Sequence, residues 1–115
     1  MVTYSRPVFH AIADPTRRAI LDALRHRERS AGDLATLFPV SRPAVSRHLR
    51  VLRGAGLVRE RRVAQYRLYS LDPAPLLEVA LWMEHYRVFR AARLHDLKEL
   101  VESSERQVTL PEETP

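Results

Sequence analysis

Residues 41–57 read SRPAVSRHLRVLRGAGL, and this stretch decides the fold. Ser41 is a residue type that accepts a hydrogen bond from the first free amides of a helix, and Pro43 suits a first turn, where no amide donor is needed. Val45, Leu49 and Leu52 then recur at spacings of four and three, which aligns them on one helical face. Gly56 stands where such a helix ends, since glycine accepts the left-handed backbone of a terminating turn. The opposite side presents Arg42, Pro43, Ser46, Arg47 and Arg50. The stretch therefore predicts a helix with a buried aliphatic stripe and an exposed basic face.

Working upstream, Ser30 and Asp33 have capping-box spacing, and Leu34, Leu37 and Phe38 supply a buried stripe before Pro39. Two short helices joined by a tight turn follow from this. Asp14-Pro15 starts an earlier helix whose inward residues are Ala19, Ile20, Ala23 and Leu24. Val8, Phe9, Ile12 and Ala13 form a shorter helix that this Asp-Pro pair stops.

Downstream the period changes. Leu57 and Val58, polar Arg59 to Arg62, a bend at Val63-Ala64-Gln65, and then Tyr66, Leu68, Tyr69 and Leu71 predict a two-stranded hairpin. Its bend lacks the Asn-Gly or Asp-Gly pair that two-residue turns prefer. Asp72-Pro73 repeats the start signal, and neither Gly nor Pro occurs between Leu76 and Glu102. That predicts one helix from about Pro75 to Glu102, roughly 40 Å long. It carries Leu76, Val79, Trp82, Met83, Tyr86, Phe89, Leu94 and Leu97, more apolar surface than so small a body hides, so a partner surface is expected. Residues 103–115 mix polar residues with Pro111 and Pro115 without a period and are expected to form a disordered tail. The fold class is thus mainly α with a small β-hairpin (α+β), a winged helix-turn-helix in one domain over residues 1–102.

With 115 residues the chain has room for one modest core. Its formal charge is +5, and Lys98 is the lone lysine among 19 basic residues, so the positive charge has the forked, phosphate-matching character of arginine. The absence of cysteine excludes disulfides, thiolate metal sites and cysteine nucleophiles. No apolar run has signal-peptide or membrane-span length, so a cytoplasmic protein without membrane contact is expected.

Arg42, Arg47, Arg50, Arg53, Arg59, Arg61, Arg62 and Arg67 crowd the second helix and the hairpin, opposed there by Glu60 alone. A helix, tight turn, helix and basic hairpin in that order place one helix in a major groove of double-stranded DNA and a wing against the backbone. Arg42 and Arg47 are the candidates for base edges, because arginine bonds guanine O6 and N7 in a fork, with Ser46 able to donate or accept. Arg50, Arg61 and Arg62 are assigned to phosphates, with Ser41, Pro43 and Gln65 also at the interface. His48 either packs through a hydrogen bond or touches DNA. Ser46 and His48 lie two apart on a helix and diverge, so no catalytic pair forms and no enzyme is expected.

The segments D14-P-T-R-R-A-I-L21, S41-R-P-A-V-S-R-H-L49 and L52-R-G-A-G-L-V58 resemble the ArsR/SmtB-type winged-helix repressors, over roughly residues 7 to 102. The resemblance implies a homodimeric transcriptional repressor whose interface is built by helices from both chain ends. Val8, Phe9, Leu76, Val79, Trp82, Met83, Tyr86, Phe89, Leu94 and Leu97 are its candidate residues. Two-fold symmetry then spaces the reading helices roughly 34 Å apart on an inverted repeat.

Many relatives sense metals through a cysteine motif on the first helix of the helix-turn-helix, where this chain has Asp33-Leu34-Ala35-Thr36-Leu37-Phe38. The alternative family site on the last helix would draw on Glu84, His85, His95, Asp96 and Glu99. His85 and His95 are ten residues apart and so about 80° out of alignment. The chain therefore resembles the metal-independent branch, with no metal, cofactor or small-molecule substrate expected. A metal- or ligand-responsive repressor, and a dimerising interaction module with little DNA affinity, are the other readings left open.

Overall fold

The computed structural model describes residues 6–109, and the side chains of all of these but 90 and 107–109. Its elements run α1 (Arg6–Ile12), α2 (Pro15–Ala23), β1 (Arg29–Ser30), α3 (Ala31–Leu37), α4 (Arg42–Gly54), β2 (Val58–Val63), β3 (Tyr66–Leu71), α5 (Leu76–Glu84) and α6 (Arg87–Thr109). The chain divides into two compact units, one reaching to Leu81 and one starting at Trp82.

In the first unit, helix boundaries follow cap chemistry. Asp14 Oδ2 accepts from Arg17 N at 2.9 Å and Ser41 Oγ from Ala44 N at 3.2 Å. Ser30 and Asp33 close the expected capping box in both directions. The end of α4 is a Schellman turn: Gly56, at φ +76°, donates to Arg53 O at 2.9 Å, and Leu57 N donates to Leu52 O at 3.0 Å. Leu52 and Leu57 are both fully buried, so the turn is packed as well as hydrogen-bonded.

The core gathers Val8, Ala11, Ile20, Leu24, Leu34, Val45, Leu49, Leu52, Leu57 and Val58 from α1 to β2. The predicted stripe of α4 is therefore its buried face. Val8, expected at a subunit interface, is instead 2% exposed within the chain's own core. It lies one turn from buried Ala11, so the inward face of α1 is used inside the protomer. Leu76 and Val79 also pack against this core, half-buried.

The hairpin is present, but it belongs to a three-stranded antiparallel sheet in the order β1-β3-β2. β1 pairs Arg29 with Tyr69 and Ser30 with Leu68. Along β2 and β3 the register runs from Val58 opposite Leu71 to Val63 opposite Tyr66, leaving Ala64 and Gln65 as a two-residue turn. Ala64 has φ 54° and is the one described non-glycine residue with positive φ. A positive angle at the first turn residue alone matches the type II′ pattern, in which glycine is usual.

The single helix expected over 75–102 is two helices. His85 N donates to Trp82 O at 3.1 Å and Tyr86 N to Met83 O at 2.9 Å, tightening the end of α5 into three-residue turns. The Trp82 and Tyr86 rings meet edge-on across this break, 5.3 Å apart and 63° inclined. Residues 103–109, expected as a disordered tail, continue α6; residues 110–115 of that tail lie outside the described residues. Along the second unit Trp82, Met83, Tyr86, Val88, Phe89, Leu94, Leu97, Leu100 and Val101 are exposed, reaching 76% at Val88 and 73% at Phe89. Among the described residues no helix is long and apolar enough to cross a membrane.

Candidate nucleic-acid interface

α4 supplies the candidate surface, because burial of Val45, Leu49 and Leu52 forces its other side outward. Ser41, Arg42, Pro43, Ser46, Arg47 and Arg50 are all exposed. His48 is half-buried and turns back toward α2, with Arg17 Nη1 3.4 Å from its Nδ1. The same Arg17 donates to Ala11 O at 2.8 Å and His10 O at 3.0 Å, so one side chain ties the end of α1 to α2 and α4. This is the packing role for His48, and a DNA contact is not needed to account for it.

The pairing register sorts the hairpin side chains into two faces, since neighbours across strands share a side. Val58, Glu60 and Arg62 lie with Leu71, Tyr69 and Arg67; Arg59, Arg61 and Val63 lie with Ser70, Leu68 and Tyr66. The first of these faces begins in the core at Val58 and Tyr69 and ends in the arginine pair Arg62 and Arg67.

Ion pairs then divide the arginines. Arg59 Nη2 is 2.8 Å from Asp72 Oδ2, and Arg53 Nη1 is 3.0 Å from Glu60 Oε2, an ionic contact without hydrogen-bond geometry. Arg61 grips Glu28 with two parallel bonds, Nε to Oε2 at 2.7 Å and Nη2 to Oε1 at 2.6 Å. That fork holds the Glu28 carboxyl below its ordinary range and raises the Arg61 guanidinium further. Among the described residues Arg42, Arg47, Arg50, Arg62 and Arg67 enter no ion pair. Arg62 and Arg67 face each other directly, an unfavourable like-charge pair that an external anion would relieve.

Two arginines stand differently from what the sequence pattern alone suggests. Arg61, assigned to a phosphate, is already occupied by Glu28, whose approach from before β1 has no local signal. Arg67, left unassigned, belongs with the unpaired cations, and the signal that finds it is the register opposite Arg62. Gln65 and Arg62 are exposed at the tip as expected.

Beneath the wing, Tyr69 is 8% exposed, and burial followed by a hydrogen bond to Glu60 pushes its hydroxyl above the ordinary tyrosine range. Tyr69, Glu60 and Arg53 thereby link β3, β2 and α4 and set the wing beside the exposed side of α4. The sequence reading did not single out this support. Among the described residues no group of three or more His, Asp and Glu side chains is placed to hold a metal; His95 Nε2 meets only Glu99 Oε1, at 3.2 Å.

Comparison with known proteins gives a consistent answer. The family described as bacterial regulatory protein, arsR family, matches residues 14–60. The chain is 42% identical over 79 residues to transcriptional repressor SdpR of Bacillus subtilis, covering 69% of this chain and 88% of that one. It is 50% identical over 78 residues to HTH-type transcriptional regulator Rv2034 of Mycobacterium tuberculosis, covering 66% and 73%. Among solved structures, an ArsR-like transcriptional regulator from Rhodococcus sp. RHA1 superposes with a TM-score of 0.66 at 37% identity, over 84% of this chain and 89% of the other.

Proposed function

The chain belongs to the arsR family of bacterial regulatory proteins, which are transcriptional regulators and not enzymes, and from that premise we propose a sequence-specific repressor of double-stranded DNA. It acts as a homodimer on an inverted-repeat operator, in the cytoplasm, without a metal effector. The observation that carries the reading is the sorting of the arginines among the described residues. Arg42, Arg47 and Arg50 on α4 and Arg62 and Arg67 on the wing face that continues from the core enter no ion pair. Arg59 and Arg61 on the opposite wing face are neutralised by Asp72 and Glu28, and Arg53 at the end of α4 is neutralised by Glu60. A merely solvated basic surface has no reason to be divided along the faces of a hairpin.

The dimer rests on Trp82, Met83, Tyr86, Phe89, Leu94 and Leu97, whose exposure is too extensive for a monomer's surface. In the first unit Leu76 and Val79 pack half-buried against the core and Phe9 is half-buried on α1; these three remain candidate interface residues of that unit. The absence of cysteine and the exposed, merely paired His95 and Glu99 favour metal independence.

Selection of bound fragments from random duplex DNA, followed by affinity measurements at two salt concentrations, tests the proposal. An enriched inverted repeat, bound with steep salt dependence, is the expected result. Salt-insensitive retention without an enriched sequence would favour the interaction module instead. Added zinc is expected to leave the affinity unchanged, and a shift that His95→Ala abolishes would restore the metal sensor.

A further inference from the structure

A trench runs between α4 and the inner face of the wing. Its larger part is lined by Arg42, Ser46, Arg67 and Tyr69 and its other end by Arg50, Arg53 and Glu60. The two parts share Ser46, Arg67 and Tyr69, so they form one channel with Ser46 on one wall and the wing strand β3 on the other. Arg42, Ser46, Arg50 and Arg53 stand about one turn apart and extend along roughly 16 Å of the helix.

The chemistry of this channel is graded. Arg53 is neutralised by Glu60 at one end, whereas among the described residues Arg42, Arg50 and Arg67 enter no ion pair. Gly32 leaves the rim open at the other end: a Cβ there would sit 4.0 Å from Arg42 Cζ and touch nothing else closer than Ser30 Oγ at 3.8 Å. Arg47 does not line the channel. At about 100° per residue it points about 170° away from the mean direction of Val45, Leu49 and Leu52, whereas Arg42 stands only about 50° from it, on the flank beside the wing.

We infer that the channel holds the sugar–phosphate backbone of one DNA strand, with Arg42, Arg50 and Arg67 bonding its phosphates and Arg47 the one α4 arginine that reads bases. The inference rests on the DNA-binding reading and reassigns Arg42 from a base edge to the backbone. Two walls of unpaired guanidinium groups suit an extended, repeating anion, and a charge every 3.4 Å of axis per strand gives the channel several phosphates to engage. Glu60 marks where the backbone leaves, because a phosphate beside an acid is repelled.

The test uses the full chain with two duplexes, one recovered by selection and one of random sequence, and with copies of the first in which single phosphates are replaced by uncharged methylphosphonates. Arg42→Ala and Arg67→Ala are expected to weaken both duplexes alike, each lowering the salt slope by about 0.9. Their cost should vanish on the duplex neutralised at the phosphate each one touches. Arg47→Ala should reduce the ratio of selected to random affinity by roughly tenfold or more while changing the slope little. If Arg42→Ala alters preference at one base pair, or keeps its full cost on every neutralised duplex, the channel assignment fails while the DNA-binding reading stands. If the unaltered protein shows no salt-dependent binding to any duplex, both fail.

Discussion

Replacing Ala64 with glycine should make the protein more stable, although it removes a side-chain atom from a folded strand connection. Ala64 sits at φ 54° in the two-residue turn between Val63 and Tyr66. In that region Cβ crowds the following carbonyl, at a cost of about 1–2 kcal/mol for an L-residue. Glycine escapes the crowding but brings extra freedom to the unfolded chain, which costs about 0.4–1 kcal/mol. At the middle of the two ranges the balance is a gain of about 0.8 kcal/mol. For a domain of this size the gain raises the melting temperature by about 3–6 °C. Urea unfolding followed by circular dichroism should show a higher midpoint with an unchanged slope. Amide exchange along β2 and β3 should slow if the wing opens as a local unit. A lower midpoint for Ala64→Gly would refute the reasoning, because it would mean that the turn does not hold Ala64 in a strained conformation.

Leu52→Ala removes a fully buried side chain at the Schellman end of α4 and should cost about 2–5 kcal/mol, a large part of the about 5–15 kcal/mol available, as read by urea midpoint. Stability should fall as the solution is acidified through and below the ordinary carboxylate range. Asp14, held down chiefly by the Arg17 amide, Glu28 by the Arg61 side chain and Asp72 chiefly by the Ala74 amide, all lose these bonds when protonated. Their stabilisation is present above the unfolded carboxylate values and is lost as pH drops through the lower folded ones. Glu28→Gln should therefore flatten the acid limb of a melting-temperature profile. Tyr69 has the opposite sign: its contribution is present below about pH 10 and lost as pH rises through its higher folded value.

What could be read from the sequence was what local chemistry determines. The caps at Asp14, Ser30 and Ser41, the stripe of Val45, Leu49 and Leu52, and the stop at Gly56 each depend on residues within one or two turns. All are where the pattern puts them. The two-residue strand β1 had no such signal, because Arg29 and Ser30 become a strand only by meeting Tyr69 and Leu68, far along the chain. The Arg61–Glu28 fork was hidden for the same reason. The break after Glu84 carries neither Gly nor Pro and is made by tightened turns under a Trp–Tyr ring contact, which periodicity does not encode. In the interface, sequence supplied the cluster of arginines and the exposed side of α4. Which arginines are already neutralised, and that Arg67 stands opposite Arg62, required the register.

The position of β2 has a consequence for solubility. β3 is paired on both sides, so β2 is an outer strand whose free backbone edge is a ready template for another chain. Its sequence, VRERRV, places Arg59, Glu60, Arg61 and Arg62 along that edge, and charge of this kind blocks edge-to-edge stacking. The same residues that make the wing basic thus keep the protein from assembling into extended sheets. Stripping the wing of arginine to silence DNA binding, with threonine or valine as replacements, would trade a regulator that cannot bind for one that aggregates.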